Sequence, residues 1–288
     1  MIFCILGPTC SGKSAVAEEL SNYLNAKIVN FDAFQVYKEL EIGTAKPTKE
    51  ELESGKYYFY NIRHIDEIYD VSQYQKEVRS FLDEHINENI IMVGGTGLYL
   101  KATLFDYRFE EEKPMPLDFL SDKTNEELFE ELNIIDPLDA SKIGVNNRKR
   151  LLRALYIFKE HKQSKTDITN NLKDNLLYKN VVFLALNPDR DSLYNSINKR
   201  VDIMFKNGLE DEVHNLYSFY DSNLRSLQAI GYKEFNNSDL SSEEIKELIK
   251  KNTRNYAKRQ MTFFKHQFKD VKWFESGEEA IKYVKTNY

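Results

Sequence analysis

The stretch Gly7-Pro8-Thr9-Cys10-Ser11-Gly12-Lys13-Ser14 is a complete match to GxxxxGK[ST], a set of residue types that together hold a phosphate chain. The glycines permit a tight turn whose backbone N–H groups converge on anionic oxygens. Lys13 adds a point charge, and the Ser14 hydroxyl suits a Mg²⁺ ion. The pattern does not say whose phosphate is held. A nucleotide kinase, a GTPase or an enzyme with a diphosphate leaving group could own it, and it also arises by chance on ordinary strand-turn-helix connections.

Such a loop needs a strand before it and a helix after it. The apolar run Ile2 to Leu6 reads as a buried strand, and Val16, Leu20 and Leu24 recur every fourth residue beyond the loop, with Ala17 beside them. The start of that helix adds further N–H groups and a favourable dipole. Lys27 to Asp32 reads as a second strand ending in a carboxylate, which brings Asp32 to the same sheet edge; ligands of parallel sheets bind there. A third strand is predicted over Tyr58 to Ile65 and a helix over Val71 to His85. Asn89 to Val93 is a further buried strand running into Gly94-Gly95-Thr96-Gly97, a glycine turn that either meets a ligand or is a tight connection only.

From Asp106 the chain changes character: the acidic Glu110 to Glu112, then Pro114 and Pro116, then short helices. The polar run Gln163 to Asn175 reads as a loop leading back, and Val181 to Leu186 returns the chain to the sheet. Asn187-Pro188-Asp189 starts a helix with a core face of Leu193, Ile197, Val201 and Met204, ended by Gly208. Val271 to Phe274 closes the sheet. The predicted class is α/β, a P-loop NTPase-like parallel sheet flanked by helices with an inserted small helical domain. Residues 1–106 form the first part of the core, 107–178 the insertion and 179–288 the second part of the core.

Two predicted helices carry basic clusters in a chain of formal net charge -6, so any nucleic-acid contact is local. The first, Asn147 to His161, has Leu151, Leu155 and Phe158 on one face and Arg148, Lys149, Arg150 and Arg153 in its first turns. Cations there oppose the helix dipole, which an anionic partner would explain; a solvated charged face is the alternative. The second, Ser242 to Lys269, places Ala257, Met261, Phe264 and Phe268 within about 60° on a helical wheel. Lys251, Arg254, Lys258, Lys265 and Lys269 fill a neighbouring sector, a phosphodiester track or a solvated face.

The 288 residues, 41% of them hydrophobic, suffice for one or two domains. Cys4 and Cys10 are too few for a disulfide framework and fit a reducing compartment. Met1 to Leu6 is too short for a signal peptide, and no apolar run has membrane-spanning length, so a cytoplasmic protein with no membrane partner is expected. The five histidines are scattered, and neither cysteine has a partner at zinc spacing.

Several further stretches line up with the phosphate loop: NFDAFQVYKELEIGTAKP from Asn30, VGGTGLYLKA from Val93, RKRLLRAL from Arg148, RVDIMFKNGLEDEV from Arg200, QAIGYKE from Gln228 and TRNYAKRQMTFF from Thr253. In this order and with this content the chain resembles the tRNA dimethylallyltransferase (tRNA isopentenyltransferase) family. The resemblance implies transfer of a dimethylallyl group from dimethylallyl diphosphate to the exocyclic amino nitrogen of the adenosine immediately 3′ of the tRNA anticodon. It also implies a P-loop core and a helical insertion that grip the anticodon stem-loop between them; Mg²⁺ is the cofactor expected at the phosphate loop, and a monomer is the expected working unit. The pattern departs at Ala33, where members usually carry a small polar residue, and at Phe34, commonly polar or basic.

On this reading Gly7 to Ser14 bind the diphosphate, Ser14 holds the metal, and Lys13, Thr9 and Arg200 belong to the catalytic set, Arg200 by its place in the family's RVDxM motif. Asp32 is the expected base for the adenine amino proton, with a Mg²⁺-holding carboxylate as its alternative. Gln35 and Thr96 are placed to bond the flipped base or to stabilise turns. With Asp32, Ala33, Phe34, Lys149, Arg150, Leu151, Leu152, Arg153, Arg254 and Lys258 they make up the expected tRNA contacts. An ATP-dependent P-loop kinase is the runner-up, and a nucleotide switch a third reading that the absence of NKxD weakens.

Overall fold

The computed structural model describes every residue except 108, 110–114, 117, 165, 168–174 and 238. The chain divides into two units, Met1–Leu104 with Tyr178–Tyr288, and Phe105–Leu177. The acidic Glu110 to Glu112, Pro114 and most of the run from Gln163 to Asn175 lie outside the described residues.

In the first unit β1 (Ile2–Leu6), β2 (Lys27–Asn30), β3 (Tyr57–Tyr58), β4 (Ile90–Val93), β5 (Val181–Leu186) and β6 (Lys272–Phe274) form one sheet of order β3-β2-β4-β1-β5-β6. Every pairing is parallel. β1 and β4 are buried at every position, as continuous apolar strands covered on both faces must be. The register sets Ile5 beside Val93 and Leu6 beside Ala185, so the turns after β1, β4 and β5 leave one edge together.

Helices α1 (Lys13–Leu24), α2 (Lys49–Glu53), α3 (Val71–Glu84) and α4 (Gly97–Leu104) follow the early strands. Val16, Ala17 and Leu20 of α1 pack on Phe3, Ile5 and Ile28, while Leu24 stays half-buried at the rim. In the second unit α5 (Asn125–Ile135), α6 (Pro137–Ile143) and α7 (Arg148–His161) bury Leu128, Leu132, Ala140, Leu151, Ala154 and Leu155. Ala154 takes the place predicted for Phe158, which is only half-buried. The first unit resumes with α8 (Arg190–Lys206), α9 (Leu209–Phe219), α10 (Ser242–Gln267) and α11 (Gly277–Asn287). The α8 face of Leu193, Ile197, Val201 and Met204 is buried as predicted, and Gly208, at φ 91°, caps the start of α9. Among the described residues no helix is long and apolar enough to cross a membrane.

Two strands are shorter than predicted. β2 stops at Asn30, whose buried side chain accepts from the Asp32 N–H at 2.8 Å and donates to the Phe59 carbonyl at 3.0 Å; these bonds replace ladder pairing. β3 keeps only Tyr57 and Tyr58, because Phe59 and Asn61 take left-handed conformations at φ 65° and 52° that end the ladder. α10 is unbroken, opened by a capping box between Ser241 and Glu244.

Candidate active site

β1 delivers the chain into a turn that only glycine allows. Gly7 has φ 145°, and a Cβ there would lie 2.9 Å from the Leu186 carbonyl oxygen and from Ser11 Oγ. Gly12, at φ 87°, caps α1, whose first residue is Lys13. Lys13 Nζ donates to the Pro8 carbonyl at 2.6 Å. Burial lowers the Lys13 pKa to about 8, against the opposing pull of Cys10 and Asp32; Arg200 adds to the lowering. An ammonium so poorly solvated gains most from an anion beside it. Ser11 Oγ is buried without a hydrogen-bond partner among the described residues.

A polar cavity of about 170 Å³ opens over this loop, lined by residues 9–15 with Asp32, Gln35, Tyr60, Arg200 and Gln260 among others. Asp32 lies two residues beyond β2, where Oδ1 accepts the Phe34 N–H at 3.0 Å. Arg200 reaches across from α8: Nη1 donates to Thr9 Oγ1 at 3.0 Å, and Nη2 approaches the Thr44 carbonyl at 3.4 Å. The Thr9 side chain thereby links the guanidinium to the loop.

A second cavity of about 230 Å³ shares Thr9, Asp32, Thr44, Arg200 and Tyr256 with the first and continues over apolar side chains, including Phe34, Ile197, Val201, Met204 and Ile249. A charged cradle therefore joins an oily recess at a boundary occupied by one carboxylate and one guanidinium. That is the requirement for heterolysis of a diphosphate ester with an apolar organic group: charge is stabilised on one side and hydrocarbon is sheltered on the other.

Gln260 on α10 escaped the sequence reading. It is buried; Oε1 accepts the Thr9 N–H at 2.8 Å and Nε2 donates to the Gly95 carbonyl at 2.9 Å, so one amide ties the phosphate loop to the second glycine turn. The Tyr256 hydroxyl donates to the same carbonyl at 3.2 Å. Glu212 was missed too. Its carboxylate accepts the Ile42 N–H at 2.9 Å and the Tyr232 hydroxyl at 2.6 Å, and the Gly43 N–H donates to that hydroxyl at 3.1 Å, which fixes the loop that presents the Thr44 carbonyl. A polar residue on the rim of an otherwise apolar helix face was the available signal for Gln260.

Gln35 Nε2 donates to the Thr44 carbonyl at 3.0 Å, and Thr96 Oγ1 accepts the Ala33 N–H at 3.0 Å, so both stabilise the turns around the cavity. On α10, Lys251, Lys258 and Lys265 are exposed, while Arg254 Nη1 donates to Asn198 Oδ1 at 2.6 Å. In the second unit Lys149, Arg150 and Arg153 are exposed, but Leu151 is 0% exposed in the core and Leu152 packs against it. The Leu151 side chain is thus withdrawn from the expected tRNA contacts, because its helical spacing from Ala154 and Leu155 puts it on the apolar face. Arg148 donates to the carbonyls of Lys123 at 2.7 Å and Leu120 at 3.1 Å, a fixed structural role. Among the described residues no cluster of three His, Cys, Asp or Glu side chains could hold a metal unaided.

Residues 35–267 match the model of a family described as IPP transferase. A tRNA dimethylallyltransferase of Bacillus anthracis is 36% identical over 296 aligned positions, covering 97% of this chain and 94% of that protein. The crystal structure of a tRNA isopentenylpyrophosphate transferase from Staphylococcus epidermidis superposes with a TM-score of 0.71 at 33% identity, over 99% of this chain and 97% of that one. A eukaryotic dimethylallyltransferase, captured in crystallographic snapshots acting on tRNA, gives a TM-score of 0.78 at 29% identity, over 91% of this chain and 69% of the other.

Proposed function

The chain belongs to the IPP transferase family, and from that membership we propose that it transfers a dimethylallyl group from dimethylallyl diphosphate to the exocyclic amino nitrogen of the adenosine 3′-adjacent to the tRNA anticodon. The products are N6-isopentenyladenosine in tRNA and diphosphate. The observation that carries the reading is the junction of the two cavities, where the phosphate loop meets an apolar recess beside Asp32. The relatives are prenyl-transferring enzymes, and the kinase reading is set aside.

The diphosphate occupies the polar cavity, held by the N–H groups of the loop from Gly7 to Ser14 and by Lys13, which leaves the Pro8 carbonyl to meet it. Arg200, already turned towards the loop on Thr9, neutralises charge as it builds on the leaving oxygen. Asp32 accepts the proton that the adenine nitrogen sheds as its bond to carbon forms. The apolar recess shelters the hydrocarbon and excludes water, which would otherwise capture the allylic cation.

Ser14, exposed at the cavity mouth, fits a Mg²⁺ ion that would take most of its ligands from phosphate oxygens and water. When bound, the ion supplies charge neutralisation on the diphosphate. The second unit serves as a tRNA-contacting insertion through Lys149, Arg150 and Arg153, and α10 offers Lys258 to the backbone. The working unit is a monomer, acting in the cytoplasm where tRNA is found.

The test is to incubate the purified protein with unmodified tRNA and labelled dimethylallyl diphosphate, then digest the tRNA and read the nucleosides by mass spectrometry. The label is expected on adenosine next to the anticodon. ATP consumption without prenyl transfer would overturn the assignment.

A further inference from the structure

Tyr60 lines the polar cavity, and nothing in the reaction described above uses it. It stands between two left-handed residues, Phe59 and Asn61, beyond the end of β3, and its ring meets Tyr57 edge-on at 5.8 Å. The hydroxyl has no hydrogen-bond partner among the described residues, although the side chain is half-buried. A phenolic hydroxyl left open to a cavity is a donor available to the ligand that fills it. Here the free volume it faces is the one lined by Lys13, Ser14 and Arg200, which is built to collect anionic oxygens.

We infer that Tyr60 is a further substrate-contacting residue, donating its phenolic hydrogen to an oxygen of the departing diphosphate; this rests on the proposal that the polar cavity holds that group. Burial, with Tyr57, Asp32 and Glu51 nearby, pushes the Tyr60 pKa up, so the hydroxyl remains a donor at every working pH. The carbon–oxygen bond breaks with both electrons passing to the diphosphate oxygen. The adenine nitrogen lone pair forms the new bond to carbon, and the nitrogen's proton goes to Asp32. Tyr60 keeps its own proton throughout, and its hydrogen bond strengthens as negative charge grows on the leaving group.

Tyr60→Phe retains the ring and its contact with Tyr57 and removes only the donor. Titration calorimetry with inorganic pyrophosphate in Mg²⁺ buffer should show affinity about tenfold weaker, and the single-turnover rate with tRNA should fall about 10- to 100-fold. Melting temperature and tRNA affinity should be unchanged. Wild-type pyrophosphate affinity and rate in Tyr60→Phe would overturn the inference, as would an equal loss of tRNA affinity, which marks a structural role. Lys13→Met is measured alongside. If it binds pyrophosphate like the wild type, the diphosphate reading of the cavity fails first; if it loses pyrophosphate while Tyr60→Phe does not, only the role of Tyr60 falls.

Discussion

Replacing Gly95 with alanine should leave a stable protein that turns over poorly, whereas the same change one residue earlier should lower the melting temperature more. A Cβ on Gly95 would stand 2.7 Å from Asp32 Oδ2 and 2.7 Å from Gln260 Nε2, so each side chain must retreat by about 0.7 Å to reach ordinary contact. Both atoms are ends of side chains and can move. Their displacement shifts the proposed base and stretches the Gln260 bond to the Gly95 carbonyl, at a cost of about 1 kcal/mol in stability. A misplacement of about 1 Å can cost about 10²-fold in rate, so a loss of that order is expected. On Gly94 the Cβ would meet the Phe31 carbonyl carbon at 2.5 Å and the Asp32 backbone nitrogen at 2.7 Å, and backbone packed where β2 and β4 end yields less than a side-chain tip. Overpacking of this kind costs about 2–3 kcal/mol. Thermal melts and single-turnover prenylation on both variants make the comparison. A Gly95→Ala protein within about threefold of wild-type rate would refute the placement of Asp32 in the chemistry.

Asp32→Asn keeps the shape but not the basicity, so single-turnover rates should drop about 10² to 10⁴-fold at every Mg²⁺ concentration, while Ser14→Ala is partly rescued by added Mg²⁺; rescue of both would make Asp32 a metal holder. The folded Lys13 pKa of about 8 lies below its unfolded value, so the free protein loses this charge as pH rises through about 8. Binding of dimethylallyl diphosphate in the absence of tRNA should therefore weaken above pH 8, by about tenfold at pH 9, and the loss should vanish in Lys13→Arg. The same buried ammonium costs stability below pH 8, a penalty relieved as pH rises from about 8 towards the unfolded value. Lys258→Gln should lower the salt slope of tRNA binding by about one and leave diphosphate affinity unchanged; filter binding across a salt series would show it.

What could be read from the chain was local or periodic. The phosphate loop is eight consecutive residues, and the core face of α8 repeats at the helical period, so both were legible without tertiary information. Tyrosine-rich residues after β2 read as a long strand because aromatic residues favour sheets; the left-handed Phe59 and Asn61 that cut it short obey no propensity. Arg148 was read with the cations of its helix as facing an anionic partner, yet its guanidinium satisfies carbonyls that another segment of the second unit leaves open. Gln260 and Glu212 stayed invisible for a related reason: each bonds backbone groups more than 160 residues away, and no spacing in sequence records such a distance.

The place of β1 in the sheet order has a consequence for biosynthesis. The strand that carries the phosphate loop is made before both of its neighbours, β4 and β5, and β5 follows only after residues 105–177. A nascent chain therefore holds its phosphate loop on a strand with one neighbour at most until β5 is made, while the continuous second unit is free to fold as it emerges. Arg200, Tyr256 and Gln260 arrive later still. The loop therefore acquires the Arg200 bond to the Thr9 side chain and the Gln260 bond to the Thr9 backbone only after α8 and α10 have been made.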